Sequence, residues 1–109
     1  MITLENDFNK EIINLYHTIK KTGYNPTQFL TMLNEDGGLV TAKNLINSTI
    51  ISNGYQKLFD LKYLNLAVEA FVVENKKFHS LFEKDEIERA KKKLKEYGYE
   101  IYFLKLMKS

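Results

Sequence analysis

Cysteine is absent from this chain of 109 residues, which excludes a disulfide framework and a thiolate metal site and fits a reducing compartment. Tryptophan is absent too, proline occurs once, at Pro26, and arginine is one of sixteen cations, at Arg89. The scarcity of arginine bears on recognition. Arginine supplies the planar fork that grips guanine edges and phosphates through paired hydrogen bonds, whereas lysine is a hydrated point charge. Sequence-specific reading of bases is therefore disfavoured. An excess of one charge is also lacking: sixteen Lys and Arg against fourteen Asp and Glu leave +2, too little to argue for a polyanion partner from net charge. No apolar run approaches the roughly 20 residues that span a bilayer. The opening Met1-Ile2-Thr3-Leu4-Glu5 lacks a basic start followed by an apolar core, so the expectation is a cytoplasmic protein without signal peptide or membrane contact.

What is present suffices for one domain. A chain of this length buries roughly two-thirds of the surface its unfolded form exposes, and no repeat or linker divides residues 1–109. Phe8, Ile12, Leu15, Tyr16 and Ile19 recur at helical spacing and predict an amphipathic helix over residues 4–22. Glu5 and Asp7 near its start and Lys20 and Lys21 near its end complement the helix dipole, and Gly23 supplies a left-handed stop. Asn25 as N-cap and Pro26 at the first helical position open a second helix, with Phe29, Leu30 and Leu33 inward. Asp36-Gly37-Gly38 breaks that helix, and Leu39, Ala42, Leu45 and Ile46 restart the period, so two helices meet at a tight corner. The small Ala42 predicts close approach by a neighbour.

Residues 47–54 read as a loop ending at a Ser52 cap, and a short helix follows with Tyr55, Leu58 and Phe59 inward. Residues 64–73 are apolar almost all round, the pattern of a central helix covered on most sides, although their valines leave a buried strand as the alternative. The last long helix, residues 85–97, has Ile87, Ala90, Leu94 and Tyr97 as its stripe. Asp85 with Arg89 and Glu88 with Lys92 form i, i+4 pairs on it, and Gly98 ends it. The fold class is all-α: a compact bundle of five to six short helices whose apolar C-terminal tail packs on the core as a final helix or an extended segment. As a strand, the tail would carry Tyr99, Ile101 and Phe103 on one face and Tyr102, Leu104 and Leu106 on the other. Both faces then need cover, which makes Tyr102, Leu104 and Leu106 interface candidates for a partner or a second copy.

Chemical constellations are sparse. Asp60 with Glu74-Asn75-Lys76 has the spacing of a metal-dependent nuclease, but such a site needs its acids converging on a cation from adjacent strands, and Glu74 ends a helix. His17 and His79 have no second ligand at metal spacing, no nucleophile elbow surrounds Ser52 or Ser80, and Gly37-Gly38 is followed by Leu-Val-Thr rather than a phosphate-loop Lys-Ser or Lys-Thr. The expectation is a chain without catalysis, metal or cofactor. Glu69 is the unusual ionisable position, set among apolar neighbours. A buried carboxylate must be paired or neutral, so we expect an ion pair with Arg89 or Lys62 or a hydrogen bond to a tyrosine. Lys91, Lys92, Lys93 and Lys95 line the last helix as a face for phosphate contact, diluted by Glu88 and Glu96. The Gly37-Gly38 corner, followed by Ala42 and Lys43, has the look of a helix-hairpin-helix turn that offers backbone N–H groups to a phosphate, with Asp36 opposing an anion there.

Gly23-Tyr24-Asn25-Pro26, Phe29-Leu30, the block from Asp36-Gly37-Gly38 to Ala42-Lys43, Tyr63-Leu64-Asn65-Leu66-Ala67-Val68-Glu69-Ala70, and Leu81-Phe82 ahead of Glu88-Arg89-Ala90 together resemble a small bacterial and phage helical module that occurs alone or beside HNH and restriction-type nucleases. The likeness covers residues 16–99 and its motifs are structural. The chain departs from that pattern at Asn65, where the module has Asp, and at Glu83, where it has a Thr cap. The resemblance implies a setting in DNA metabolism or phage-host defence and carries no active-site residues. The expected function is a non-enzymatic binding module that contacts a nuclease partner or the phosphate backbone of nucleic acid through Lys91, Lys92, Lys93, Lys95, Gly37, Gly38 and Lys43, with a homodimer also compatible. The alternative is a phage-type inhibitor, anti-CRISPR-like or anti-restriction, that blocks a nucleic-acid-processing enzyme.

Overall fold

Six α-helices and two short 3-10 segments build residues 3–99, the part of the chain that the computed structural model describes, and no strand occurs among them. The all-α expectation holds. The calls on Tyr102, Leu104 and Leu106 and on the tail's conformation fall outside the described residues.

Helix α1, Leu4–Lys21, starts where Thr3 Oγ1 accepts the Asn6 N–H at 3.1 Å, and it buries the predicted Phe8, Ile12, Leu15, Tyr16 and Ile19. It stops at Gly23, whose φ of +99° takes the left-handed conformation open to glycine. Helix α2, Thr27–Asp36, begins one residue later than the sequence signals place it. Pro26, with ψ at 73°, is the cap rather than the first helical residue, and Asn25 contributes its carbonyl to the Thr27 N–H at 2.9 Å. Helix α3 spans Gly38–Asn47, and α4, Asn53–Asp60, opens on the expected Ser52 cap, whose Oγ accepts the Tyr55 N–H at 3.0 Å.

The continuous central helix expected over residues 64–73 is two pieces. A 3-10 turn, Leu64–Leu66, gives way at Ala67, whose ψ of 150° is extended, and only then does α5, Val68–Glu74, begin. Helix α5 packs on both α3 and α6 and buries Val68, Glu69, Ala70, Val72 and Val73, which explains an apolar pattern without a clear phase. A second 3-10 segment, Lys76–Leu81, leads into α6, Lys84–Glu96. It delivers Phe78 to the core, where Phe8, at 0% exposure, meets Phe71, Phe78 and Phe82 at ring-centroid distances of 5.8, 5.2 and 5.6 Å. A fully buried ring such as Phe8 or Phe78 contributes about 1.5–3 kcal/mol, so this aromatic cluster anchors the 3-10 segment to the core.

Candidate functional site

The glycine corner joins α2 to α3 through one residue. Gly37, with φ at +80° and ψ at 170°, caps the end of α2 and the start of α3 together. Gly38 is buried because α1 passes over it: a Cβ there would lie 2.7 Å from Asn9 Oδ1 and 3.1 Å from Asn9 Cα. The same Asn9 Oδ1 accepts the Leu39 N–H at 3.1 Å. An asparagine reaching across from α1 thus fills the capping role at α3. The Leu39 N–H, the donor next to Gly37 and Gly38, is therefore engaged inside the fold.

The lysine face divides. Lys92 and Lys95 are exposed, and Lys91 pairs with Glu88 at 3.5 Å, an i, i+3 contact in place of the expected Glu88–Lys92 pair. Lys93 turns inward: its Nζ donates to the Leu45 carbonyl at 2.6 Å and to Glu69 Oε2 at 3.2 Å, with side chains 14% and 5% exposed. Glu69 therefore has Lys93 as its partner rather than Arg89 or Lys62. The reason is helical phase. Three consecutive residues sweep roughly 200° around a helix, so Lys91, Lys92 and Lys93 cannot all face water when Ala90 and Leu94 face the core.

Lys43 is also committed within the fold. Its Nζ lies 2.9 Å from Glu86 Oε1 and 5.3 Å from the centre of the Phe82 ring. Asn47 Nδ2 donates to Glu86 Oε2 at 2.7 Å, while Arg89 donates to Asn47 Oδ1 at 2.7 Å and to Asp85 Oδ2 at 2.8 Å. This polar ladder staples α3 to α6. Burial pushes the Glu86 carboxyl up, but hydrogen bonds from the Glu83 N–H, Lys43 and Asn47 outweigh it and hold the group below its ordinary 4.5. Neither Asn9 nor Asn47 stood out in the sequence, because an asparagine on a helix carries no periodic signal.

Asp60, Glu74 and the two histidines each have a local contact. His79 Nε2 lies 2.9 Å from the Val72 carbonyl and 3.1 Å from that of Val73, and His17 is exposed with its ring edge against Tyr16. Asp60 accepts from Gln56 Nε2 at 3.0 Å, and Glu74 accepts from the Tyr99 hydroxyl. Among the described residues no group of three His, Cys, Asp or Glu is placed to hold a metal ion.

The surface that gains weight is apolar. Phe59, Leu61 and Tyr63 are 39%, 38% and 41% exposed at the C-terminal end of α4 and the turn after it. The turn is tightly specified: Lys62 N–H donates to the Phe59 carbonyl at 3.0 Å and Tyr63 N–H to that of Leu58 at 2.8 Å, with Lys62 at φ +67°. This is the paired-bond helix stop that normally places glycine at the left-handed position. Phe59, expected to face inward, does so only in part: its ring meets Tyr97 edge-on at 4.8 Å, and the residue is 39% exposed. No helix among the described residues is long and apolar enough to cross a membrane. No family model, curated protein or solved structure matches the chain.

Proposed function

We propose that this chain is a non-enzymatic helical binding module that engages a protein partner, a nuclease or another nucleic-acid-processing enzyme, rather than the phosphate backbone directly. The observation that carries the reading is the apolar strip at the end of α4: Phe59, Leu61 and Tyr63 stand exposed on a rigid turn, with exposed Lys57 and Lys62 beside them. Large apolar side chains fixed on a rigid scaffold and rimmed by charge are the usual make-up of a protein contact. Lys93 and Lys43, expected to meet phosphate, are instead tied to Glu69 and Glu86, which leaves a weak positive field. The kind of partner follows from the resemblance to nuclease-associated modules.

The test pairs two measurements. A pulldown from bacterial lysate with the full chain should retain a nucleic-acid-processing enzyme at low and at high salt, and Leu61→Ser with Tyr63→Ser, both outside the core, should release it. A DNA titration should show weak binding that Lys92→Glu with Lys95→Glu leaves little changed. Tight DNA binding that falls steeply with salt and with those two charge reversals would restore phosphate contact as the function.

A further inference from the structure

An open cavity with room for about 240 Å³ lies beside the α4 strip and shares Phe59 with it. Leu64 is its buried residue, Phe59, Tyr97 and Tyr99 are the aromatics of its lining, and Lys62 and Asn65 are the polar side chains. Two of the aromatics are fixed in place. The Tyr97 hydroxyl donates to Gln56 Oε1 at 3.0 Å while its ring meets Phe59 and Tyr55 edge-on at 4.8 and 5.1 Å, and the Tyr99 hydroxyl donates to Glu74. The lining is therefore preorganised, which lowers the ordering cost of anything that docks there. Asp60, Glu74 and Glu96, the acids on the adjoining elements, stay outside the lining. Lys57 and Lys62 are exposed, and among the described residues neither takes part in an ion pair or a side-chain hydrogen bond. The exposed Asn65 carboxamide is equally free.

We propose that this cavity seats one aromatic side chain of the partner protein, with an acidic residue directly beside it in the partner's sequence paired to Lys62; this rests on the protein-partner reading and adds the chemistry of the segment that docks. Each attribute has a source. The space admits one ring, since an enclosed apolar cavity of roughly 150 Å³ already takes benzene and this one is larger and open. An aromatic fits best because rings gain from edge-to-face and offset contacts with other rings beyond the area they bury. The acid follows from charge complementarity: an ammonium without a partner and a carboxamide able to donate stand at a cavity that no carboxylate lines. Backbone conformation gives independent support. Lys62 is the one non-glycine residue at positive φ among the described residues, +67°, at a helix stop where glycine is the usual occupant. A side chain kept where its backbone is strained points to a use for that side chain.

The experiment titrates the full chain, labelled with nitrogen-15, with three end-capped tetrapeptides: Gly-Asp-Phe-Gly, Gly-Asn-Phe-Gly and Gly-Asp-Ala-Gly. Expected are saturable amide shifts centred on Phe59, Lys62, Asn65 and Gly98. The Asp-Phe peptide should bind about threefold tighter than Asn-Phe at low salt, the ratio an exposed ion pair supplies, and about tenfold tighter than Asp-Ala, the ratio for a partly buried ring. The first ratio should vanish in about 1 M salt. Lys62→Gly, which relieves the backbone strain, and Lys62→Gln, which keeps the stem without the charge, should each abolish the preference for Asp-Phe over Asn-Phe while Asn-Phe binding persists. Equal affinities for those two peptides, or a preference that survives both variants, would overturn the proposal. So would shifts that do not saturate, the result expected if a second copy or the chain's own residues 100–109 take the seat, and so would stronger shifts of the same amides with an oligothymidylate. The titration needs no lysate, so a pulldown that succeeds while the titration fails sinks the seat and leaves the protein-partner reading in place.

Discussion

Replacing Lys93 with methionine tests whether a lysine in a run of cations is part of the core. Methionine keeps the apolar stem and removes the ammonium, along with its bonds to the Leu45 carbonyl at 2.6 Å and to Glu69 at 3.2 Å. Glu69, with a side chain 5% exposed, is then left buried without a counter-charge. Removing one member of a buried pair costs about 3–5 kcal/mol, a large share of the roughly 5–15 kcal/mol that holds a domain together. With a urea m-value of about 1.5 kcal/mol/M, a loss of about 3 kcal/mol lowers the unfolding midpoint by about 2 M. Equilibrium urea unfolding followed by circular dichroism measures it directly. Lys92→Met, at an exposed position, should stay within about 0.5 kcal/mol of the wild type. Adding Glu69→Leu to Lys93→Met should recover most of the loss, because an apolar pair no longer has a charge to desolvate. A Lys93→Met midpoint indistinguishable from that of Lys92→Met, or a double variant no more stable than the single, would refute the buried-pair reasoning. It also follows that charge reversal across all of Lys91, Lys92 and Lys93 would report unfolding rather than contact with phosphate.

Three further outcomes are expected. Gly38→Ala should cost about 1–3 kcal/mol in thermal or urea unfolding, because its Cβ meets Asn9 Cα at 3.1 Å and pushes away the side chain that caps α3; an unchanged melting temperature would show that α1 yields freely. Lys62→Gly should stabilise by about 0.5–1 kcal/mol, since relief of the left-handed strain at φ +67° exceeds the entropy glycine loses on folding, and a lower melting temperature would contradict this. Glu86 titrates below its ordinary 4.5 in the folded state, so its ladder stabilises fully above that pH and progressively less as pH falls through the folded value. The stability gap between wild type and Glu86→Gln should therefore narrow as pH drops below 4.5, and a gap independent of pH would rule out this linkage.

Much of the architecture was legible where local signals and packing agree. The stripe of α1, the Gly23 stop, the Ser52 cap and the corner at Gly37 are each encoded within a few residues. The division of residues 64–74 was not, because α5 is covered on several sides and its apolar run carries no phase in which a break at Ala67 would register. The segment Lys76–Leu81 was missed for the opposite reason: it is held by Phe78 in a distant aromatic cluster, and nothing in its polar sequence announces a helix. Of the candidate contacts, Lys92 and Lys95 are exposed as expected, whereas Lys93 and Lys43 are committed to buried carboxylates on other elements. Their partners lie 24 and 43 positions away, a distance at which residue spacing says nothing about pairing.

The reach of Asn9 across to Leu39 has a consequence for how the chain folds. Helix α3 has ten residues, below the roughly 12–15 at which an isolated helix becomes even marginally stable, and it carries no capping side chain of its own. Its first turn is completed by a residue thirty positions earlier, so the helix is fully formed only once α1 is docked. A peptide of residues 26–47 alone should be largely unstructured. In the intact protein the amides of α3 should exchange with solvent through global opening rather than by fraying from the corner. The glycine joint thereby works as a latch that makes the N-terminal half of the molecule a single cooperative unit.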